Sequence, residues 1–508
     1  MKKIAIIDIG SNSIRLVIVQ INKDNSFRII DEIKESVRLG KDMTPKGELD
    51  SSRIEMAIST LSFFKRLCMI QNINEIFAVA TEAVRKATNQ KEFLRRVKSE
   101  LSIDIRVLTG IQEAYYDYFG AINSMDFSDA LIMDIGGSSS ELILVKDRKL
   151  KASISLPFGA INLTEKFSLQ RAMDAKSETA IKDFLISLFK DIPWLKEVKN
   201  IPIIGIGGTI RNIGKLHEKK TNYPIDNLHN YIISTNEVIS IYDQVKVKDS
   251  YQRKKLKGLS KERADIFVGA ASVLVSLIDY LDIKELHVSG SGLRDGFLYE
   301  YIFKNEKPID QPFDKPLTDV LDFSLKNILL NYEIDLKHPN HVWMLTKTLY
   351  NELSSLINIP IDPCKILKTA AMLHDIGIQI SYFDHHKHSS YMIANSKING
   401  LTHKQQLMSS YVAALHRKNE FKIDLKVYQD LITKQDLVII DKLSILLRIS
   451  ESLDRCLTGN IEKISCTIGA STVTIAVDAK TDSLLEISAA MDCCSSFEKI
   501  YNKKLIIK

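Results

Sequence analysis

The sequence predicts a duplicated α/β fold over its first 300 residues, followed by an all-helical region and a small strand-containing module. Three observations predict it. Residues 4–9 (IAIIDI) form a short apolar run ending in the polar turn Gly10-Ser11-Asn12-Ser13, and IRLVIVQI resumes at once. That pattern reads as a buried strand, a tight hairpin and a second strand. The pattern returns in ALIMDIGGSSSELILVKD, where Asp134 stands as Asp8 stood 126 residues earlier. Between and around these hairpins, residues 51–72, 90–101 and 177–192 carry apolar stripes at helical spacing. A strand-hairpin-strand unit repeated at this distance indicates two similar α/β domains facing each other across a cleft.

Further elements follow in chain order. A third Gly-rich turn, GIGGTIRN, leaves a strand at residues 201–206. NEKPIDQPFDKPLT places three prolines in a polar stretch and reads as a linker. Residues 316–458 read as almost continuous amphipathic helix. From residue 459, ISCTIGASTVTIAVDA alternates and is rich in β-branched residues, so a small α+β module closes the protein. The expected domains are 1–120, 121–305, 316–458 and 459–508.

Composition agrees with several packed domains. The chain has 508 residues, 45% hydrophobic and 26% charged, which supplies sizeable cores and excludes a disordered or fibrous chain. A net charge of +6 is a mild excess, and nucleic acid is not an expected partner. The six cysteines show no CxxC pair or metal-ligand spacing, which fits a reducing compartment. Asp8 interrupts the first apolar run too early for a signal peptide. No stretch reaches the roughly 18–20 apolar residues of a membrane span. A cytoplasmic location is expected. Of 11 histidines, only His217, His229 and His287 precede residue 300, so the C-terminal part is the one suited to metal or proton chemistry.

Three Gly/Ser/Thr turns leaving strands bring backbone N–H groups together without bulky side chains, an arrangement that suits phosphate oxygens. One such turn is commonly only a tight hairpin; three, two of them headed by Asp, point to phosphate. Asp8 and Asp134 make sense beside a polyanion as holders of Mg²⁺. Glu113, where a strand ends at Thr109-Gly110 and a helix begins, reads in two ways: a carboxylate that polarises water, or an acid favouring a helix N-terminus. Arg85 likewise reads as a phosphate fork or as a solvated helix arginine. Residues 251–263 (YQRKKLKGLSKER) carry six bases and one acid, which is either a solvated face or a track for a long polyanion.

The residues resemble the exopolyphosphatase/guanosine pentaphosphate phosphohydrolase (Ppx/GppA) family. The matching stretches are DIGSNSIRLVI, ATEAVRKATN, TGIQEA, DIGGSSSEL, SLPFGAINLTE, GIGGTIRN, LHNY, GLSKERADIFVGA and VSGSGLRDG, in order over residues 1–300 and more loosely beyond. The resemblance implies an actin-like, ribonuclease H-like (ASKHA) duplicated core. It implies that Glu113 is the general base, and that Asp134 and Glu141, with Asp8, hold Mg²⁺. It further implies phosphate contacts from Ser11, Asn12 and Ser13, from Gly136, Gly137 and Ser138, and from Gly207, Gly208 and Thr209, with Arg85 on the terminal phosphate. Two departures stand out. The second hairpin reads GGSSSE where the family usually has a third Gly and a Thr. Asn162 replaces a common Arg, which weakens one anion contact. Family members often dimerise, and a homodimer is expected.

In the helical region, His341, His374-Asp375 and Asp454 stand in the order and approximate spacing of an HD-domain phosphohydrolase. With His385, His386, His388 and His416 nearby in sequence, the set reads in two ways: ligands for an additional divalent metal, or hydrogen-bonded histidines of a helical core. The sequence is read as that of a Mg²⁺-dependent hydrolase that removes terminal phosphate from inorganic polyphosphate. The alternatives are a guanosine pentaphosphate (pppGpp) phosphohydrolase, a non-catalytic polyphosphate or alarmone sensor, and an enzyme whose active centre is the HD-like site.

Overall fold

The computed structural model describes residues 1–508 except Pro45 and residues 305–315, 418–420 and 422–424. The chain divides into two compact units, Met1–Thr318 and Asp319–Lys508. Most of the expected linker therefore lies outside the described residues.

The first unit is built on two sheets with the same core topology. Strands β1 (Lys2–Ile9), β2 (Ile14–Ile21), β3 (Phe27–Glu35), β4 (Glu75–Ala80) and β5 (Ile105–Val107) form the first, in the order β3-β2-β1-β4-β5. Strands β6 (Ala130–Ile135), β7 (Ser140–Lys146), β8 (Lys149–Leu156), β9 (Ile203–Ile206), β10 (Tyr231–Ser234) and β11 (Glu285–Val288) form the second, in the order β10-β11-β9-β6-β7-β8. In each, an antiparallel meander continues into a parallel strand beside its first member: β1 on β4, β6 on β9. The duplication extends to irregularities. The meanders carry a register shift at Ile18/Val19 and at Leu144/Val145, the same 126-residue offset as Asp8 and Asp134.

The central strands are apolar on both faces, as strands covered by helices must be. Ile4, Ala5, Ile6 and Ile7 of β1 and Leu131, Ile132 and Met133 of β6 are almost fully buried. The expected helices form at Ser51–Ile70, Gln90–Leu101 and Ala175–Lys190, the first capped by the Asp50 carboxylate accepting from Ser52 and Arg53 N–H. The helix Gly110–Ile122 packs closely on the helix Leu293–Lys304. A Cβ added at Gly296 would lie 2.1 Å from the Tyr116 carbonyl oxygen, and one at Gly120 would lie 2.2 Å from that of Gly292. Glycine is what permits the two backbones to meet.

The second unit holds the helices Val320–Asn331, Lys337–Glu352, Cys364–Leu373, His385–Asn395, His403–Ala414 and Lys434–Ser452. Strands β12 (Ile461–Ile468), β13 (Thr472–Ala479) and β14 (Lys504–Ile507) form its sheet in that order, with two short helices between the last two. Leu345, Leu349 and Leu453 pack with Ile461, Val473, Phe497 and Leu505 in one core, so the terminal strands share a core with the helices. Among the described residues no helix is long and apolar enough to cross a membrane.

Candidate active site

The two hairpin turns and the third Gly-rich turn converge on one cleft in the first unit. It is lined by Asp8, Ser11, Asn12 and Ser13, by Asp134, Gly136, Gly137 and Ser139, and by Gly207 and Gly208. The hairpins close alike: Gly10 N–H donates to Ser13 O at 3.1 Å, and Gly136 N–H to Ser139 O at 3.0 Å. The turns nearly touch, since a Cβ on Gly137 would stand 2.9 Å from Ser11 Cβ. The third turn is a strand-to-helix junction that begins the helix Gly207–Thr221, and helix N-termini attract anions. Gly207 has φ +92°, and a Cβ there would stand 2.3 Å from Asp134 Oδ1. Only glycine suits both demands.

Ser138, Thr209, Arg85 and Glu141, all expected to act here, stand off the lining. Ser139 takes the place of Ser138. Thr209 is fully buried. Asn162 is held by the second turn: its Oδ1 accepts from Gly159 N–H at 2.6 Å and its Nδ2 donates to Ser138 O at 3.3 Å.

Glu113 is not a solvated helix acid. Thr109 caps its helix, Thr109 Oγ1 accepting from Gln112 N–H at 3.2 Å, and Glu113 lies buried on the cleft wall. Arg85 Nη1 stands 3.0 Å from Glu113 Oε2 and donates to Leu108 O at 2.6 Å, while Nη2 pairs with Glu82. The Arg85 guanidinium thus holds Glu113 in place, which sequence alone did not indicate. Burial pushes the Glu113 carboxyl up to about 8; Arg85 opposes the rise, and Asp134 and Asp8 add to it.

Asp134 and Glu141 are joined by Asp117, the residue one helical turn beyond Glu113. One carboxylate oxygen from each of the three lies within 4.8 Å of the others. Asp117 and Glu141 are fully buried. Glu141 Oε1 accepts from Ser155 Oγ at 2.8 Å, but Glu141 Oε2, Asp134 Oδ1 and both Asp117 oxygens have no well-aligned hydrogen-bond donor among the described residues. Burial, and repulsion by neighbouring carboxylates, hold all three carboxyls above their ordinary range, Asp117 and Glu141 well above it; for Asp134 the repelling neighbour is Asp8. Buried oxygens with no donor fit a hard cation such as Mg²⁺, which takes oxygen ligands. Asp8 lines the same cleft outside this trio. Asp117 lies in AYYDYF, and only its i+4 relation to Glu113 could have marked it.

Four arginines complete the site; sequence reasoning singled out none of Arg15, Arg211 and Arg294, and reached Arg263 only as part of the basic run 251–263. Arg15, Arg211, Arg263 and Arg294 line the cleft and also an adjoining cavity of about 530 Å³. Arg294 pairs with Glu32 at 2.6 Å; Arg15, Arg211 and Arg263 have no ion-pair partner among the described residues. Burial and the neighbouring arginines lower Arg211 to about 9 and Arg263 to about 10, so both stay charged at neutral pH. Of the basic run 251–263, only Arg263 reaches this place. Arg253 is wholly buried, donating to Leu169 O at 2.6 Å and Arg171 O at 3.0 Å, while Lys254, Lys255, Lys257 and Lys261 are exposed.

In the second unit, His374 and Asp375 are joined by His338, His385 and His416. Asp454 is one step removed, on His338 at 2.7 Å. His341 lies beside Asp454, its Nε2 2.7 Å from the Ile461 carbonyl oxygen.

Comparison with known proteins gives consistent results. Residues 17–305 match the Ppx/GppA phosphatase family, and residues 320–488 match Ppx/GppA phosphatase, domain III. A guanosine-5'-triphosphate,3'-diphosphate pyrophosphatase of Vibrio vulnificus is 27% identical over 421 residues, 82% of this chain and 80% of that protein. The crystal structure of the Aquifex aeolicus Ppx/GppA family member is 32% identical with a TM-score of 0.52, covering 60% of this chain and 99% of that one. An exopolyphosphatase structure from Cytophaga hutchinsonii shares the fold at 24% identity and a TM-score of 0.56, covering 59% of this chain and 98% of that one. These neighbours bear out the actin-like class of the duplicated core.

Proposed function

The chain belongs to the Ppx/GppA phosphatase family, and from that premise we propose that it removes the terminal phosphate of inorganic polyphosphate by metal-assisted attack of water. The observation that carries the reading is the arrangement of opposite charges in one cleft. Asp134 and Glu113 line it, the buried carboxylates of Asp117 and Glu141 stand close to Asp134 off the lining, and four arginines continue from it into the adjoining cavity. A polyanion bound there has its reacting end at the carboxylates and its remainder among cations.

Asp117, Asp134 and Glu141 would hold Mg²⁺, which when bound neutralises charge on the phosphoryl oxygens. The remaining work falls to the chain itself. The turns at Ser11–Ser13 and Gly136–Ser139 and the N-terminus of the helix Gly207–Thr221 present amides to the phosphoryl group undergoing transfer. Glu113, oriented by Arg85, accepts the proton of the attacking water. Arg15, Arg211, Arg263 and Arg294 stabilise the rest of the anion and keep its end in register. The leaving group is a shortened polyphosphate, itself a stable anion among the same arginines.

A second reading, hydrolysis of guanosine pentaphosphate, is favoured by the name of the Vibrio vulnificus relative over 82% of this chain. Phosphate release from long-chain polyphosphate and from guanosine pentaphosphate should be measured for wild type, Glu113→Gln and Asp375→Asn. We expect the polyphosphate rate to fall by about 10²–10⁴-fold in the first variant and to hold in the second. A preference for the nucleotide would support the second reading, and loss only in Asp375→Asn would move the active centre to the helical unit.

A further inference from the structure

Asp375, just beyond the helix Cys364–Leu373, is surrounded by four imidazoles from four parts of the second unit. Each uses Nδ1 in the same way. His374 Nδ1 is 2.8 Å from Ala371 O, His385 Nδ1 is 2.9 Å from Tyr382 O, and His416 Nδ1 is 2.6 Å from Ala413 O. His338 Nδ1 is 2.7 Å from Asp454 Oδ2. Carbonyl oxygens and an ionised carboxylate only accept, so every Nδ1 carries the hydrogen. In the neutral rings each Nε2 is then a bare lone pair.

Those lone pairs meet in twos. His338 Nε2 faces His374 Nε2 at 3.2 Å, and His385 Nε2 faces His416 Nε2 at 3.2 Å. Two acceptors cannot hydrogen-bond each other, and at this distance they repel unless a cation lies between them. Each pair also shares one oxygen of Asp375. His338 and His374 stand 3.8 and 3.6 Å from Oδ2; His385 and His416 stand 3.0 and 3.5 Å from Oδ1. His374, His385 and His416 are at most 1% exposed, and Asp375 Oδ1 accepts no well-aligned hydrogen bond. The spacing has a metric meaning. Two imidazole nitrogens each about 2.0–2.1 Å from a tetrahedral ion are separated by roughly 3.3 Å.

We propose that His338, His374, Asp375, His385 and His416 form a carboxylate-bridged site for two divalent transition-metal ions. His338, His374 and Asp375 Oδ2 hold one ion; His385, His416 and Asp375 Oδ1 hold the other. Four nitrogen donors favour zinc, iron, cobalt or nickel over Mg²⁺, so this site differs in chemistry from the all-oxygen trio of the first unit. The Nδ1–H contacts are the outer support that ligating histidines require, with Asp454 serving His338. Each ion has three protein ligands, which leaves positions for water or an oxyanion. The Asp375 side chain is 29% exposed and His338 14% exposed, so the site is reached from one side.

The test uses the full-length protein, freed of metal by chelation and titrated with Co²⁺. Visible absorption reports nitrogen coordination, and elemental analysis after gel filtration counts bound metal. Wild type should retain about two equivalents more than His374→Gln/His416→Gln and develop cobalt bands that excess Mg²⁺ does not displace. Circular dichroism and the thermal unfolding profile of the same samples check that the second unit of the variant is folded. If the double variant does not fold, His385→Gln should show about one equivalent fewer than wild type. Equal metal content in wild type and variants overturns the proposal. So does a wild type without nitrogen-coordinated cobalt bands, whatever the variants do.

Discussion

Asp134 and Glu141 stand directly opposite each other across the hairpin of β6 and β7, whereas the matching position opposite Asp8 in the first hairpin is Arg15. One repeat sets a cation in register with its hairpin aspartate, without an ion pair between them, and the other sets two carboxylates in register. Like charges in register destabilise a sheet by a few tenths to about 1 kcal/mol, and burial raises the cost. A cation between these two carboxylates would relieve that cost, as the proposed function requires.

Removing one of the two charges should stabilise the metal-free protein while harming catalysis. The Glu141 carboxyl is held well above its ordinary range. A raised folded-state pKa gives stability that is present at low pH and is lost as pH rises. Glu141→Gln should therefore gain over wild type in EDTA, by about 1 kcal/mol, with the gain growing above about pH 4.5. Chemical denaturation across pH measures it. Phosphate release should drop together with this gain, and Mg²⁺ should stabilise the wild type more than the variant.

The rate should rise with pH through the range set by Glu113, whose carboxyl is pushed up to about 8 and must be ionised to take a proton. Saturating Mg²⁺ should move this limb to lower pH, because a cation at Asp134 offsets one of the charges that raises Glu113. Arg85→Gln should move it to higher pH, since the guanidinium is what opposes the rise. Profiles of kcat/KM against pH at limiting and saturating Mg²⁺ separate the two effects.

Arg211→Met and Arg263→Met should raise KM for polyphosphate by roughly tenfold or more, with a smaller change in kcat. Each removes a cation that has no ion-pair partner among the described residues. The KM of each variant should also depend less steeply on salt than that of wild type. Arg253→Met should instead destabilise the first unit, because it leaves buried carbonyls unpaired.

Gly207→Ala should lose most activity while retaining much of its stability. The backbone at φ +92° costs an alanine about 1–2 kcal/mol, and its Cβ would press on Asp134 Oδ1. The same test at Gly47, also at positive φ but away from Asp134, should leave phosphate release intact.

The parts of the site legible in the sequence are those built locally. A strand, a small-residue turn and a strand announce themselves within twenty residues, so Asp8, Asp134 and the glycines were readable. Glu113 was readable because a helix begins just before it. Asp117 was not, since an aspartate between aromatic residues looks like any helix position until the fold places it beside Asp134. The arginine cluster draws on β2, on two helices and on the turn at residue 263, and no local pattern links them. The sequence reading named His341, while His338, three residues earlier on the same helix, is the one beside His374 and Asp375. The Ile461 carbonyl occupies His341 from a distant strand.

The glycine-lined crossing of the helices Gly110–Ile122 and Leu293–Lys304 has a further effect. Glu113 and Asp117 share one face of the first helix, a single turn apart, so the rise of an α-helix sets the spacing between the proposed proton acceptor and one of the carboxylates proposed to hold metal. That helix is clamped backbone to backbone at Gly120 and Gly296, and nothing compressible lies between. The pair behaves as a fixed gauge. Opening or closing of the cleft can change how far the gauge stands from the hairpins, but not the length it measures.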